Sequence, residues 1–183
     1  MSADVIQRLA LRSAAIGFEA SSTDAVGDLL AALVASKPGG RILELGTGTG
    51  LGTVRLLQGM DPTAHLVTIE LDATLSAIAR EEIHDERIEW IIGDAGEWLA
   101  GRSDEFDLIF ADTWPGKFTH LEEALGLVKS GGFYVVDDLR SQPDWPADHQ
   151  AAVDDLVATL SRRPDWITAH LDAASGVMVC VRL

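Results

Sequence analysis

A chain of 183 residues, 47% hydrophobic and 23% charged, has the make-up of one globular domain without low-complexity tracts, tandem repeats or a linker. Its 29 acidic against 14 basic residues give a formal charge of −15, which repels a polyanion over the whole surface. A small molecule, not nucleic acid, is therefore the expected partner. No apolar run reaches the roughly 18 residues of a membrane span, and the amino terminus lacks a signal-peptide layout, so a cytoplasmic protein with no membrane partner is expected.

Apolar residues at helical spacing, Val5, Ile6, Leu9 and Ala10, then Val26, Leu29, Leu30, Leu33 and Val34, predict two helices within 1–36 that could form a lid on the single domain 1–183. Ser21-Ser22-Thr23-Asp24 offers N-cap chemistry for the second, and Lys37-Pro38-Gly39-Gly40 stops it. Strands near 41–46, 65–70, 87–92, 107–112 and 132–137 then alternate with helices near 51–59, 73–83, 95–100, 118–129 and 147–162. The last strands, near 166–172 and 176–182, are joined by Ala173-Ala174-Ser175-Gly176, too short for a crossover helix, and must pair antiparallel. The fold class is α/β: a doubly wound, mostly parallel, seven-stranded sheet with an antiparallel last strand. Cys180 lies in the apolar run 177–181 and reads as a core thiol; one cysteine excludes a disulfide framework.

Ligands of such sheets bind beyond the carboxyl ends of the strands, and here those ends are acidic: Glu44, Glu70, Asp94, Asp112 and the pair Asp137-Asp138. Between the first strand and its helix runs Glu44-Leu45-Gly46-Thr47-Gly48-Thr49-Gly50, whose alternate glycines let a ligand approach the main chain. The dinucleotide fingerprint G-x-G-x-x-G fails, because its third glycine is Leu51 counted from Gly46 and Thr53 counted from Gly48. The Glu44 carboxylate at the loop mouth repels a pyrophosphate and favours an ammonium or sulfonium ligand such as S-adenosylmethionine. Glu70 follows at the spacing from which an acid reaches ribose hydroxyls.

The pattern E-x-G-x-G-x-G after a first strand resembles the first motif of class I S-adenosylmethionine-dependent methyltransferases, and the terminal antiparallel strand is similar to the ending of their Rossmann-like fold. The resemblance implies that Glu44, Gly46, Thr47, Gly48 and Gly50 form the methionine-side loop, that Glu70 holds the ribose, and that Asp94 and Ala95 meet the adenine. Ser22 or Thr23 would reach the methionine carboxylate. Asp112 would border the cofactor.

Residues 106–140 resemble the catechol-type, divalent-metal-dependent O-methyltransferases, in which an Asp ending the fourth strand and an Asp-Asn pair ending the fifth bind magnesium or calcium. Asp112 and Asp137 match; Asp138 replaces the Asn, and Lys117 is displaced from the family's position. The resemblance thus implies Mg2+ or Ca2+ at Asp112, Asp137 and Asp138. Three carboxylates within about 5 Å repel by roughly 3 kcal/mol per pair, which a cation or Lys117 would offset. Consecutive side chains on a strand diverge, so joint ligation by Asp137 and Asp138 requires the strand to end or bulge there.

Methyl transfer needs an aligned acceptor and a route for its proton. Lys117 and Asp112 are the candidate catalytic residues, with His120 as a further base. Trp114, Trp145 and the segment 141–146 could wall a flat pocket. The expected function is methyl transfer to a small molecule, at oxygen before nitrogen; the alternatives are a pyridine-nucleotide oxidoreductase and a non-catalytic S-adenosylmethionine-binding module. A homodimer is left open.

Overall fold

The computed structural model of the protein describes residues 3–18, 23–142, 145–146, 148–172 and 174–183. Ser21, Ser22, Pro143, Asp144 and Ala173 of the sequence reading lie outside them. Helices α1 (Ala3–Ala15) and α2 (Asp24–Ala35) come first, and Thr23 caps α2 by accepting from the Val26 N–H. Then follow β1 (Arg41–Leu45), α3 (Leu51–Gly59), β2 (His65–Glu70), α4 (Ala73–Glu82), β3 (Ile88–Ile92), α5 (Ala95–Leu99) and β4 (Phe106–Ala111). The chain ends with α6 (Leu121–Gly126), β5 (Val128–Val136), α7 (His149–Ser161), β6 (Trp166–Leu171) and β7 (Val177–Arg182).

The strands form one sheet in the order β3-β2-β1-β4-β5-β7-β6. Strands β1 to β5 pair parallel, while β7 runs antiparallel to both β5 and β6 and lies between them. After β1 the chain winds outward through β2 and β3; from β4 it winds the other way. The crevice at that reversal, beyond the carboxyl ends of β1 and β4, is where such sheets bind ligands.

Alternation along each strand feeds two cores. Leu43, Leu45, Ile69, Ile109 and Tyr134 pack with α5, α6 and α7, whereas Ile42, Leu66, Leu108, Phe110 and Val135 pack with the first four helices. Each fully buried Leu or Ile contributes about 2 kcal/mol of transfer free energy, so a register slip in β1 is heavily penalised. Helix α1 is seated on this second face: Ser13 Oγ and Thr49 Oγ1 share a 2.7 Å hydrogen bond, and Arg8 and Arg12 pair with Glu82 and Glu81 at 2.7 Å.

One boundary differs from expectation. Strand β5 begins at Val128, not near 132, and α6 stops at Gly126, short of the expected 129. Val128 pairs with Phe106, then the register jumps to Leu108 opposite Phe133. The intervening 129–132 form a bulge in which Gly131 takes φ 72° and Lys129 Nζ reaches Asp107 Oδ2 at 2.7 Å.

Candidate active site

Glu44 sits on β1 opposite Thr68 of β2 and Phe110 of β4, beneath α3, and is fully buried. Its Oε2 accepts from Thr53 Oγ1 and Thr68 Oγ1, both at 2.6 Å, while Oε1 has no partner. Burial pushes its carboxyl up to about 8, against those two hydroxyls and with Asp112 and Glu70 adding to the rise. A buried oxygen left unmatched is costly in a finished core. Glu44 lines a cavity of about 200 Å³ together with Gly46, Thr47, Gly48, Glu70 and Asp112.

The loop is held by its own main chain. The Gly46 and Thr47 N–H groups both donate to Ile69 O, at 3.0 and 3.1 Å, and Gly48 N–H donates to Glu70 Oε2 at 2.7 Å. Gly46, at φ 96°, approaches the Asp112 carbonyl so closely that a Cβ would stand 2.7 Å from its oxygen. The Gly50 N–H donates to Thr47 O at 3.0 Å, so the loop admits a ligand by its shape, with four of its amides already used. Gly50 is not among the residues that line the cavity; it precedes α3 at φ 97°, where a Cβ would come within 2.9 Å of Ala79 and Ile83.

Glu70 links this cavity to a smaller one of about 50 Å³ lined by Asp94, Ala95, Gly93, Leu71, Thr113 and Pro115. Its Oε1 accepts from Asp72 N–H at 2.9 Å, so main-chain bonds orient the carboxylate while lone pairs remain for hydroxyl donors. Asp94 both lines the pocket and caps α5, accepting from Glu97 N–H at 2.9 Å.

A third cavity, about 220 Å³, opens on the other side of Asp112 and Thr113, which border both it and the glycine-loop cavity. Its walls are Trp114, Phe118, Trp145 and His149, and its polar groups are Asp112, Lys117 and Asp138. Ring centroids of Trp114 and Phe118 stand 4.9 Å apart, and those of Trp145 and His149 4.2 Å. Both expected tryptophans are present; Phe118, His149 and, against the loop, Phe18 were not anticipated. His120 is displaced from the acceptor side, since its exposed ring lies over Gly96 of α5.

The acids at the ends of β4 and β5 do not converge as a metal site. No three His, Cys, Asp or Glu side chains among the described residues form a group able to hold a metal ion. Strand β5 ends at Val136; the Asp137 carboxylate turns to Ser175 Oγ and to the Asp138 N–H, while Asp138 takes a left-handed backbone at φ 57°. Lys117, only 6% exposed, donates instead to Asp137 O at 2.9 Å and to Asp112 Oδ1 at 3.4 Å. Its ammonium ties the two strand ends together with the positive charge a cation would have brought. The donor set does not fit Mg2+ or Ca2+. Burial, reinforced by Asp137 and Asp138 and opposed by Lys117, pushes the Asp112 carboxyl up to about 7. Burial also raises that of Asp137. The Cys180 thiol, pushed up to about 12 by burial, is an inert core group.

A seven-stranded sheet of this order, with an acidic glycine loop at the reversal, defines a Rossmann-like α/β class, and comparison with known proteins specifies the family. The chain belongs to the methyltransferase-domain family, whose model matches residues 43–139, from β1 through the turn after β5. It is 29% identical over 128 residues to catechol O-methyltransferase B of Danio rerio, covering 63% of this chain and 48% of that protein. It is 32% identical over 159 residues to a provisionally named O-methyltransferase of Mycobacterium ulcerans, covering 83% and 66%. The chain thus spans about half to two thirds of the length of these relatives. Its fold matches that of an O-methyltransferase from Bacillus cereus solved in complex with SAH, with TM-score 0.86 and 22% identity over 100% of this chain and 92% of that one.

Proposed function

We propose that this chain transfers the methyl group of S-adenosylmethionine to an oxygen of a small, flat aromatic acceptor, in the cytoplasm and without a bound metal. One observation carries the reading: Glu44, whose buried Oε1 has no hydrogen-bond partner among the described residues, lines the glycine-loop cavity, which meets the aromatic-walled cavity at Asp112 and Thr113. An unmatched carboxylate oxygen suits a cationic ligand and opposes a pyrophosphate. That argues against a pyridine nucleotide, as does the missing third glycine. A second cavity across a shared wall argues against a simple binding module.

The sulfonium of the bound donor supplies an already activated methyl group. What the chain must add is alignment and charge. Glu44, drawn into its ionised form by the donor's positive charge, offsets that charge, Glu70 accepts from its ribose, and Asp94 and Ala95 enclose its adenine. Trp114 and Trp145 hold a flat acceptor by its faces. The Lys117 ammonium, fixed by Asp137 O and Asp112, stabilises negative charge developing on the acceptor oxygen. No described helix is long and apolar enough to cross a membrane.

The test is incubation with methyl-labelled S-adenosylmethionine and a panel of phenols, catechols and anilines, with and without a chelator, read by mass spectrometry. Label on phenolic oxygen, undiminished by the chelator, is expected. Transfer abolished by chelation and restored by magnesium would reinstate a metal site that forms only with substrate. Cofactor binding with no transfer to any acceptor would favour the binding module.

A further inference from the structure

The acceptor cavity holds a group whose use the preceding reading leaves open, since Lys117 is committed as an ammonium donor to two oxygens and carries no lone pair for the acceptor's proton. His149 is the first residue of α7 and lies outside the stretch 43–139 that matches the family model. Its half-buried ring lines the cavity beside Asp112, Lys117 and Asp138. The ring is fixed on three sides: centroids stand 4.2 Å from Trp145, 5.4 Å from Phe118 and 5.7 Å from Trp114, the last two edge-on. Among the described residues none hydrogen-bonds either ring nitrogen, so an imidazole lone pair is available to whatever fills the cavity. Neutral imidazole is a base suited to work near neutral pH.

We propose that His149 is the base for the acceptor hydroxyl, an assignment that rests on the methyl-transfer reading. A ring nitrogen takes the O–H proton as the O–CH3 bond forms and the S–CH3 bond breaks. The S–CH3 electron pair returns to sulfur, which leaves as a neutral thioether, and the imidazolium then loses its proton to water. Lys117 steadies the oxygen and His149 accepts its proton, a division of labour that needs no metal. Other charged groups facing His149 are Asp112 from the end of β4, Lys117 from the following loop and Asp138 from the end of β5, with Asp148 beside it on its own helix. The competing base is Asp112, whose Oδ1 already accepts from Lys117.

The experiment has an equilibrium arm and a kinetic arm, with His149→Phe, which keeps a stacking ring, His149→Gln, which keeps polarity, and Asp112→Asn. In the first arm, 4-nitrophenol is bound to the protein without methyl donor, and its visible phenolate band is followed against pH. Wild-type protein should ionise the bound probe at a pH where the free probe is protonated, and both His149 variants should lower the bound phenolate-to-phenol ratio about tenfold. In the second, both His149 variants should slow transfer to phenol, which ionises near 10 like a tyrosine side chain, on the order of hundredfold. Transfer to nitrophenol already ionised in solution should fall less than tenfold. Unchanged cofactor affinity certifies that the variants fold. Equal losses on both acceptors, an unshifted band in the wild type, or a shift abolished only by Asp112→Asn overturns the assignment. Probe ionisation without methyl transfer would sink the methyltransferase reading and leave His149 standing as the cavity's base.

Discussion

Replacing Glu44 by Gln should make the protein more stable in alkaline solution and a poorer binder of a cationic ligand. The Gln carbonyl oxygen can take over both hydrogen bonds from Thr53 and Thr68, so the packing survives while the charge goes. In the folded chain the Glu44 carboxyl ionises at about 8 instead of its ordinary 4.5, because burial strips its hydration. Below 4.5 both folded and unfolded chains hold the proton and Glu44 costs nothing. As pH rises through 4.5 to 8 the unfolded chain gains a solvated carboxylate that the folded chain cannot, so stability falls across that window and stays lowered above it. At about 1.4 kcal/mol per pH unit the loss is on the order of 5 kcal/mol, and Glu44→Gln removes it. Urea unfolding of both proteins at pH 5 and pH 8.5 reads the difference. Near equality at the lower pH and a gain of several kcal/mol for the variant at the higher is expected. A difference that does not change with pH would refute the buried, unmatched carboxylate.

Glu70→Gln should weaken S-adenosylmethionine binding about tenfold to a hundredfold by calorimetry, since charge-assisted bonds contribute roughly 1.5–3 kcal/mol and an amide NH2 would also oppose the Gly48 or Asp72 N–H. Gly46→Ala forces φ 96° on an L side chain and drives a Cβ into the Asp112 carbonyl; a loss of at least about 1–3 kcal/mol in unfolding and of cofactor affinity should follow. Lys117→Met removes the ammonium 3.4 Å from Asp112, which Asp137 and Asp138 already disfavour as a carboxylate, and should cost about 3 kcal/mol at pH 8. Adding Asp112→Asn should recover part of that stability but none of the activity; full additivity of the two changes would show that the pair does not interact.

The glycine loop, Glu44 and Glu70 were legible because their chemistry is local: alternate glycines directly after an apolar strand, and an acid at the end of the next. Strand ends carrying Asp94 and Asp112 followed from the same alternation. Lys117 was visible as a residue but not as a tie, since its bond to the Asp137 carbonyl joins positions 20 apart through the packing of β4 against β5. The turn of Asp137 toward Ser175 is likewise set by β7 lying against β5, a placement no local pattern encodes. Its consequence was the expected metal site, which needed Asp137 and Asp138 to face one way. Gly50 looked like its loop neighbours, yet its close fit to α4 depends on where that helix packs. His149 gave no signal because it stands at the start of a helix and enters the cavity only through its contacts with Trp114, Phe118 and Trp145.

The central claim is that the glycine-loop cavity takes a cationic adenosyl donor, and calorimetric titration with S-adenosylmethionine, S-adenosylhomocysteine and NADH tests it directly. The account predicts one site for the first two, no heat with NADH, and a Glu44→Gln variant that loses more affinity for the sulfonium compound than for its uncharged thioether. Saturable NADH binding with neither adenosyl compound bound would contradict it.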